Sequence, residues 1–176
     1  TDLVEPLSFD EAYLDVTENK IGQPSATLLA KEIKDRIYKE TQLTASAGVS
    51  YCKFLAKIAS DYQKPNGVFV ITPEEATVFI EKLKIEKFFG IGKVTADKMH
   101  KMGIFFGSDL KKLSQHRLTQ TFGKAGAYYY QIVRGNDNRL VNPHRERKSV
   151  GGENTFSHDV LLLPDQLKEM KPIAQK

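Results

Sequence analysis

The chain has 176 residues, of which 40% are hydrophobic and 27% charged, so its composition excludes a disordered chain and predicts a globular protein. Its length allows one medium domain or two small ones, no stretch approaches the length of a membrane span, and no signal peptide opens it. The single cysteine, Cys52, excludes an internal disulfide and a zinc site with several thiolates, and it fits a reducing cytoplasm.

The formal net charge of +4 is unevenly distributed along the chain. Residues 1–83 contain 9 Lys and Arg against 13 Asp and Glu, residues 84–150 contain 14 against 5, and residues 151–176 contain 3 against 4. The basic middle segment indicates a bound polyanion, although a solvated lysine-rich helical face explains the charge equally well.

The first segment, residues 1–83, alternates strand and helix patterns. In chain order we predict a strand hairpin around residues 6–17, a helix after the N-cap Ser25, a strand buried on both faces over 43–50, a helix over 51–63, a strand over 68–71 and a helix that opens with a capping box at Thr72–Glu75. Leu29, Ile33 and Ile37 share one stripe of the first helix. The segment is a mixed layer of strands and helices.

From residue 84 the strand patterns stop, and glycines separate short helical pieces into an all-α unit that ends near residue 144. In residues 145–176, "RKSVGGENTFSHDV" predicts a strand that leaves a linker, and "PDQLKEMKPIAQK" predicts the start of a helix. We therefore expect an α+β fold with boundaries at 1–83, 84–144 and 145–176.

The first stretch with possible chemistry is "PLSFDEAYLDVT", which places Asp10 and Glu11 side by side. Four neighbours are interpreted as strand residues: Leu7, Phe9, Tyr13 and Val16. The two acids are either exposed turn residues or, with a third carboxylate from a neighbouring strand, an oxygen site for Mg²⁺. A pair of such ions would serve phosphoryl transfer.

The second stretch is "KFLAKIASDYQKPNG", in which Lys53, Lys57, Asp61 and Lys64 recur at steps of three and four residues. Such spacing predicts one helix face and its C-terminal turn. The face is either solvated, or it holds Lys64 beside a Pro-Asn-Gly turn as a charge for an incoming phosphate. A P-loop motif is absent from the sequence.

The third stretch, "FFGIGKVTADKMHKMG", places Gly90 and Gly92 immediately before a helix that starts at Lys93. Free backbone N–H groups there could bind an anion with help from the helix dipole, although a tight turn between helices has the same pattern. The frame of Phe89, Ile91, Val94 and Met99 favours a helical hairpin, of which "FGKAGAYYYQIVRG" is a weaker echo. Two function classes remain: a metal-dependent phosphoryl-transfer enzyme that grips nucleic acid, and a non-catalytic DNA-binding module.

Four segments, in this order and spacing, resemble motifs of the Y-family translesion DNA polymerases, and the bacterial DinB branch is the most similar. "SFDEAYLDVT" resembles the palm motif, "FLAKIASDYQKPNG" the second palm signature, "FGIGKVTADKMHKMG" the thumb helix-hairpin-helix, and "RERKSVGGENTF" the linker to the little finger. The resemblance implies a partial palm over 1–83, a thumb over 84–144 and the start of a little finger over 145–176.

The resemblance also implies template-directed nucleotidyl transfer with two Mg²⁺ ions, primer–template DNA, a deoxynucleoside triphosphate and a sliding clamp as partners, no membrane, and a cytoplasmic location. Asp10 and Glu11 would be catalytic metal ligands, and Lys64 would contact the nucleotide. The implied DNA contacts are Gly90, Gly92, Lys93, Arg147, Lys148 and Ser149.

Several parts of the family pattern have no counterpart in this sequence. These are the N-terminal strand with a further catalytic Asp, the fingers, and most of the little finger; the chain also begins at Thr1 without Met, which suggests a piece of a longer protein. We therefore expect the parent protein to be a polymerase and this chain alone to be nearly inactive. A palm-type nucleotide cyclase is a weaker alternative, because a cyclase does not require the basic segment.

Overall fold

The computed structural model describes residues 1–144, 151–157 and 159–174. Within it the chain divides into two compact units, Thr1–Pro143 and His144–Lys176. None of the described helices is long and apolar enough to cross a membrane. The elements combine helices with two small sheets, which confirms the predicted α+β class.

The first unit begins with an antiparallel hairpin of two three-residue strands, β1 (Val4–Pro6) and β2 (Ala12–Leu14). The carbonyl oxygen of Glu11 accepts the N–H groups of Leu7 at 2.8 Å and Ser8 at 3.3 Å, which closes the loop between the strands. Tyr13 is the buried residue of β2. Residues 7–11 therefore form a turn at the tip of the hairpin.

The predicted hairpin, around residues 6–17, begins and ends later than the observed strands, which cover Val4–Pro6 and Ala12–Leu14. The strand assignment was wrong for three of the four residues, because Leu7, Phe9 and Val16 lie outside the strands. Phe9 is fully exposed. The loop closure on Glu11 ends the pairing at Pro6 and Ala12, which leaves Leu7 and Phe9 in the loop, and Val16 lies beyond the outermost pair, Val4 and Leu14.

Helix α1 (Ala26–Thr41) follows, and its N-cap Ser25 accepts the backbone N–H of Leu28 at 3.3 Å, as predicted. A βαβ unit comes next, consisting of β3 (Ala47–Ser50), α2 (Lys53–Tyr62) and β4 (Val68–Ile71). The two strands are parallel, with Ala47 opposite Val68. The connecting helix packs on the strands, as expected for a parallel crossover.

Strand β3 is shorter and less buried than predicted. It begins at Ala47 rather than residue 43 because β4, its partner in the described sheet, begins opposite that residue. All four of its residues are half-buried, and both α2 and α1 pack against the strand. Gly48 makes this packing possible, because a Cβ there would lie 2.0 Å from the carbonyl oxygen of Ala56 in α2.

Helix α3 (Pro73–Lys82) starts with the predicted capping box, in which Thr72 and Glu75 exchange side-chain-to-backbone hydrogen bonds. A 3₁₀ turn over Ile85–Lys87 leads to four short helices: α4 (Lys93–Lys101), α5 (Gly107–Lys111), α6 (Gln115–Phe122) and α7 (Lys124–Ile132). Residues 84–144 are all described and form no strand beyond an isolated bridge between Lys84 and Phe106, which confirms the all-α prediction.

One hydrophobic core runs through the first unit. Its fully buried side chains include Phe54, Leu55, Ile80, Phe88, Met99, Leu110 and Ile132. The rings of Phe54 in α2 and Phe88 after the 3₁₀ turn are 5.6 Å apart. The residues before and after position 84 therefore share this core, and the three-part division of the chain stays a prediction.

The second unit contains helix α8 (Leu163–Ala174), which confirms the predicted C-terminal helix. The predicted strand is not found in the described residues 151–157 and 159–162, so that prediction was wrong there. Two consecutive glycines, Gly151 and Gly152, supply no side chains to pack on a pleated surface, which disfavours a strand.

Candidate active site

The hairpin tip presents its two acids in different surroundings. The Asp10 side chain is exposed, and its Oδ1 accepts the hydroxyl of Ser8 at 2.8 Å. The Glu11 side chain turns toward α2, where its Oε1 lies 3.0 Å from Nζ of Lys57. The tip therefore offers one solvent-facing carboxylate beside one that is joined to the neighbouring helix.

An ion-pair chain continues from Glu11 along α2. Lys57 also contacts Asp61 at 3.1 Å, and Asp61 in turn contacts Nζ of Lys64 at 2.5 Å. Lys57, Asp61 and Lys64 thus share one side of the helix and its C-terminal turn, as their spacing predicts. Lys53, at the start of the same helix, pairs instead with Glu5 of β1.

The charge states of this chain follow from its contacts. Burial opposes the charge on Lys57, but hydrogen bonds to Glu11 and Asp61 outweigh it and raise the pKa of the ammonium group. Burial likewise opposes the charge on Asp61, but the bonds from Lys64 and Lys57 lower the pKa of the carboxyl group. Both groups are therefore charged at neutral pH.

The turn that carries Lys64 is attached to the body of the unit. Asn66 adopts a left-handed conformation with φ of 56°, and its carbonyl oxygen accepts Nζ of Lys34 in α1 at 2.6 Å. The Lys64 side chain remains about half exposed. This places a solvent-accessible cation on a tethered turn near the end of α2.

The Gly90–Lys93 turn precedes α4 as predicted. Gly90 has φ of +91°, which strongly favours glycine, and Gly92 is the N-cap, where an added Cβ would meet no described atom within 4 Å. Lys93 is exposed at the first helical position. The backbone at this helix start is thus open to a ligand.

The prediction of an apolar frame around that turn is only partly confirmed. Ile91 and Met99 are buried, and Phe89 packs against the core, whereas Val94 is 84% exposed and belongs to the surface. The ammonium group of Lys57 lies 5.8 Å from the centre of the Phe89 ring, so the turn and α2 are neighbours.

An open groove of about 1330 Å³ is lined by residues of α2, β4 and α3 and by the segment that leads into the glycine turn. Its lining includes Lys57, Asp61, Phe89 and Gly90, together with residues of β4 and α3. The structure therefore brings the second and third sequence stretches together along one groove, with Glu11 joined to it through Lys57.

Some predicted site residues are not brought together. Arg147, Lys148 and Ser149 lie outside the described residues. Within the described ranges, no group of three or more His, Cys, Asp or Glu side chains is placed to hold a metal ion. The third carboxylate expected beside Asp10 and Glu11 is thus not found in this part of the chain.

Sequence reasoning missed Asp137 and Arg139, which follow α7; Asp137 contacts α2, and Arg139 pairs with Asp137. The Asp137 carboxylate accepts the backbone N–H of Phe54 at 2.8 Å and pairs with two nitrogens of the Arg139 guanidinium group. The available signal was the scarcity of acids in the basic segment, where Asp137 is one of only five. Its partner in α2 is 83 residues away, beyond the reach of local patterns.

Comparison with known proteins agrees with this architecture. Residues 1–61 match the impB/mucB/samB family, and residues 87–137 match the DNA polymerase-iota thumb domain. DNA polymerase IV of Listeria monocytogenes is 59% identical over 161 residues, which cover 92% of this chain and 45% of that protein. DNA polymerase IV 2 of Agrobacterium fabrum is 56% identical over 176 residues, 100% of this chain and 49% of that protein.

Solved structures of DNA polymerases also resemble this chain. DinB from Sulfolobus solfataricus is 35% identical with a TM-score of 0.72 and matches 80% of this chain and 42% of its own. A Dbh–Dpo4 Y-family polymerase chimera is 36% identical with a TM-score of 0.77, over 85% of this chain and 44% of its own. The fold is that of a partial polymerase palm followed by a small all-α thumb. The chain belongs to the Y family of DNA polymerases, in its DinB branch, and spans about half the length of the curated relatives it matches.

Proposed function

We propose that the protein that carries this chain catalyses template-directed DNA synthesis, adding deoxynucleotides to a primer 3′ end as an error-prone translesion polymerase. The observation that carries the proposal is the ion-pair chain from Glu11 to Lys64, which ties the palm hairpin to the turn that would receive a triphosphate. In this division of the chain, residues 1–83 are palm, 84–144 thumb, and 145–176 the start of the little finger.

Asp10 and Glu11 would hold Mg²⁺, the cofactor of the proposed reaction. Two adjacent carboxylates fit this ion, which is usually bound by one or two carboxylates with substrate phosphates and water as its other ligands. When bound, Mg²⁺ supplies charge stabilisation for the reacting oxygens. The exposed Asp10 is accessible to such an ion, and Lys57 orients the Glu11 carboxylate beside it.

Lys64 would contact the incoming deoxynucleoside triphosphate, because it is a half-exposed cation on a tethered turn. Its pairing with Asp61 would be exchanged for the phosphate charge when the nucleotide binds. The role of these residues is positioning and electrostatic stabilisation, which are the main sources of catalysis in phosphoryl transfer.

Primer–template DNA would be bound through its phosphates. Gly90 and Gly92 leave backbone N–H groups free at the start of α4, and Lys93 adds a charge beside them. Arg147, Lys148 and Ser149 are proposed as further DNA contacts. Such binding would be largely independent of base sequence and strongly dependent on salt. Likeness to the family extends the proposal to a sliding clamp as partner and to a cytoplasmic location.

Primer extension by the full-length protein with Mg²⁺ tests the proposal. We expect extension by the wild type and none by the Asp10→Ala, Glu11→Ala double variant, because the metal ligands are removed. The matched control is Asp35→Ala, Glu40→Ala, which removes two carboxylates from α1 and is expected to keep activity. A wild-type protein that binds DNA but never extends a primer would instead be a non-catalytic DNA-binding module.

A further inference from the structure

The start of α2 is capped by a residue from the far end of the first unit. The N-cap Cys52 makes no side-chain capping bond, so the first N–H groups of the helix need another acceptor. Oδ2 of Asp137 accepts the N–H of Phe54 at 2.8 Å and takes that role. The Asp137 side chain is only 2% exposed, so its charge depends on protein partners.

Arg139 supplies the charge that Asp137 requires and extends the contact to α7. Its Nε and Nη2 atoms lie 2.6 Å and 2.7 Å from the two carboxylate oxygens of Asp137. The Nη2 atom also donates to the hydroxyl of Tyr128 in α7 at 3.1 Å. One bidentate pair therefore joins α2 to the last helix of the basic all-α segment.

A second contact joins the same segment to the hairpin. Oε2 of Glu5 in β1 accepts Nζ of Lys53 at 2.5 Å and the backbone N–H of Asn142 at 2.7 Å. Lys53 also donates to the carbonyl oxygen of Leu140 at 3.2 Å. Its ammonium group lies 5.0 Å from the ring centre of Tyr13, which stands opposite Glu5 in the hairpin.

We propose that residues 137–142, here called the clasp, position the hairpin acids against α2, with Asp137 as the central positioning residue. The clasp holds β1 through Glu5, the start of α2 through Phe54, and α7 through Tyr128. The hairpin and α2 also contact each other through Glu11 and Lys57, so a hairpin held by the clasp keeps Glu11 beside Lys57. This inference rests on the proposed polymerase function, because the groups it positions are those assigned to metal and nucleotide.

The expected consequence of loosening the clasp is a slower chemical step rather than weaker DNA binding. The hydrogen bonds of Asp137 and Arg139 reach α2 and α7, and their link to the Gly90–Lys93 turn is the Tyr128 ring, which lies beside Gly90. Because Tyr128 stays anchored in α7 without the Arg139 bond, we expect the DNA-binding turn to keep its structure. A shift of about 1 Å between reacting groups costs up to about 100-fold in rate. We expect a loss of about tenfold for a partial loosening of this kind.

Two single variants of the full-length protein separate the parts of the clasp. Asp137→Asn keeps an oxygen for the Phe54 N–H but loses the charge that faces Arg139, and Arg139→Gln loses the same pair from the other side. We expect each to lower the single-turnover incorporation rate about tenfold and to leave the Kd for DNA within about twofold. The double variant should be no slower than either single variant, because all three lack the same pair. Asp35→Asn in α1 is the control.

These rates are measured well below the thermal midpoint of every variant, so a purely structural role would leave them unchanged. Incorporation rates within twofold of the wild type, with only the midpoint lowered, would overturn the inference. Losses that multiply in the double variant would also overturn it, since Asp137 and Arg139 would then act separately.

A second measurement does not depend on polymerase activity. Amide hydrogen exchange without DNA or nucleotide should speed up at the start of α2 and in hairpin residues 4–14 in Asp137→Ala but not in Asp35→Ala. If the wild type fails to extend primers, the proposed function fails, while faster exchange in the hairpin still supports the clasp. Unchanged hairpin exchange overturns the clasp, whatever the activity of the protein.

Discussion

Lys57 is a cation in direct contact with a proposed metal ligand, and its replacement tests the role of that ligand. Its Nζ lies 3.0 Å from Glu11 and 3.1 Å from Asp61. Lys57→Met keeps a side chain of similar length and removes the charge. Because a positive charge beside the site opposes a second cation, the variant should bind Mg²⁺ more tightly than the wild type.

The magnitude follows from the exposure of the pair. The Glu11 side chain is 35% exposed, so water screens its contact with Lys57 and the pair contributes about 1 kcal/mol rather than the larger energy of a dry ion pair. Without competition from Lys57, the binding free energy of the metal ion becomes more favourable by about 1 kcal/mol, which lowers the Kd about fivefold.

Isothermal titration of the full-length protein with Mg²⁺, without DNA or nucleotide, measures this change. The matched control is Lys111→Met, which frees Glu81 from an ion pair of 2.7 Å with similar carboxylate exposure, away from the hairpin. We expect no change in the control. Weaker or unchanged binding by Lys57→Met would refute the reasoning, and equal tightening in both variants would show that any freed carboxylate suffices.

Three further predictions concern the fold, the clasp and the DNA contact. Gly48→Ala should lower the free energy of unfolding by about 3 kcal/mol or more in a urea titration, because its Cβ would lie 2.0 Å from a backbone oxygen. The control Gly92→Ala, whose Cβ would meet no described atom within 4 Å, should lower it by less than about 1 kcal/mol. Burial opposes the charge of Asp137, but the bonds from Arg139 and the Phe54 N–H outweigh it and lower the pKa of the carboxyl group. The charged carboxylate therefore stabilises the fold above the unfolded pKa near 3.8, and this stabilisation is lost as the pH falls through the folded value. Unfolding titrations should therefore show the wild type about 1–2 kcal/mol more stable than Asp137→Asn at pH 6 and a shrinking difference below about pH 4; a constant difference would contradict this. Lys93→Gln should reduce the slope of log K for DNA against log salt by about 0.9 if Lys93 contacts one phosphate, while Lys31→Gln in α1 should leave the slope unchanged.

Local sequence patterns predicted the helices, their caps and the spacing of charges along α2. The Ser25 cap, the Thr72–Glu75 box and the Lys57–Asp61–Lys64 series each depend on residues within a few positions of one another, and each is found in the structure. These features are set by the periodicity of the helix, which the sequence displays directly.

Strand limits and the clasp could not be predicted in the same way. The length of β3 depends on where β4 begins, and the hairpin ends where Glu11 closes the loop, so both limits depend on the partner segment. Apolar residues such as Phe9 and Val94 favour strand or core by type, but their positions at a loop tip and on the outer side of α4 leave them exposed. Residue type alone does not record which face a neighbour covers.

The contacts that relate the candidate active site to the basic segment are the least visible in the sequence. Asp137 and Phe54 are 83 residues apart, and Asn142 and Glu5 are 137 apart. Asp137 supplies the hydrogen-bond acceptor that the start of α2 lacks, and the N–H of Asn142 binds the Glu5 carboxylate of the buried Lys53–Glu5 pair. Because removing either partner leaves a buried charge or an orphan N–H, each of these residues restricts what its partner can be. A polymerase palm of this kind is therefore specified by its supporting contacts as well as by its motif acids.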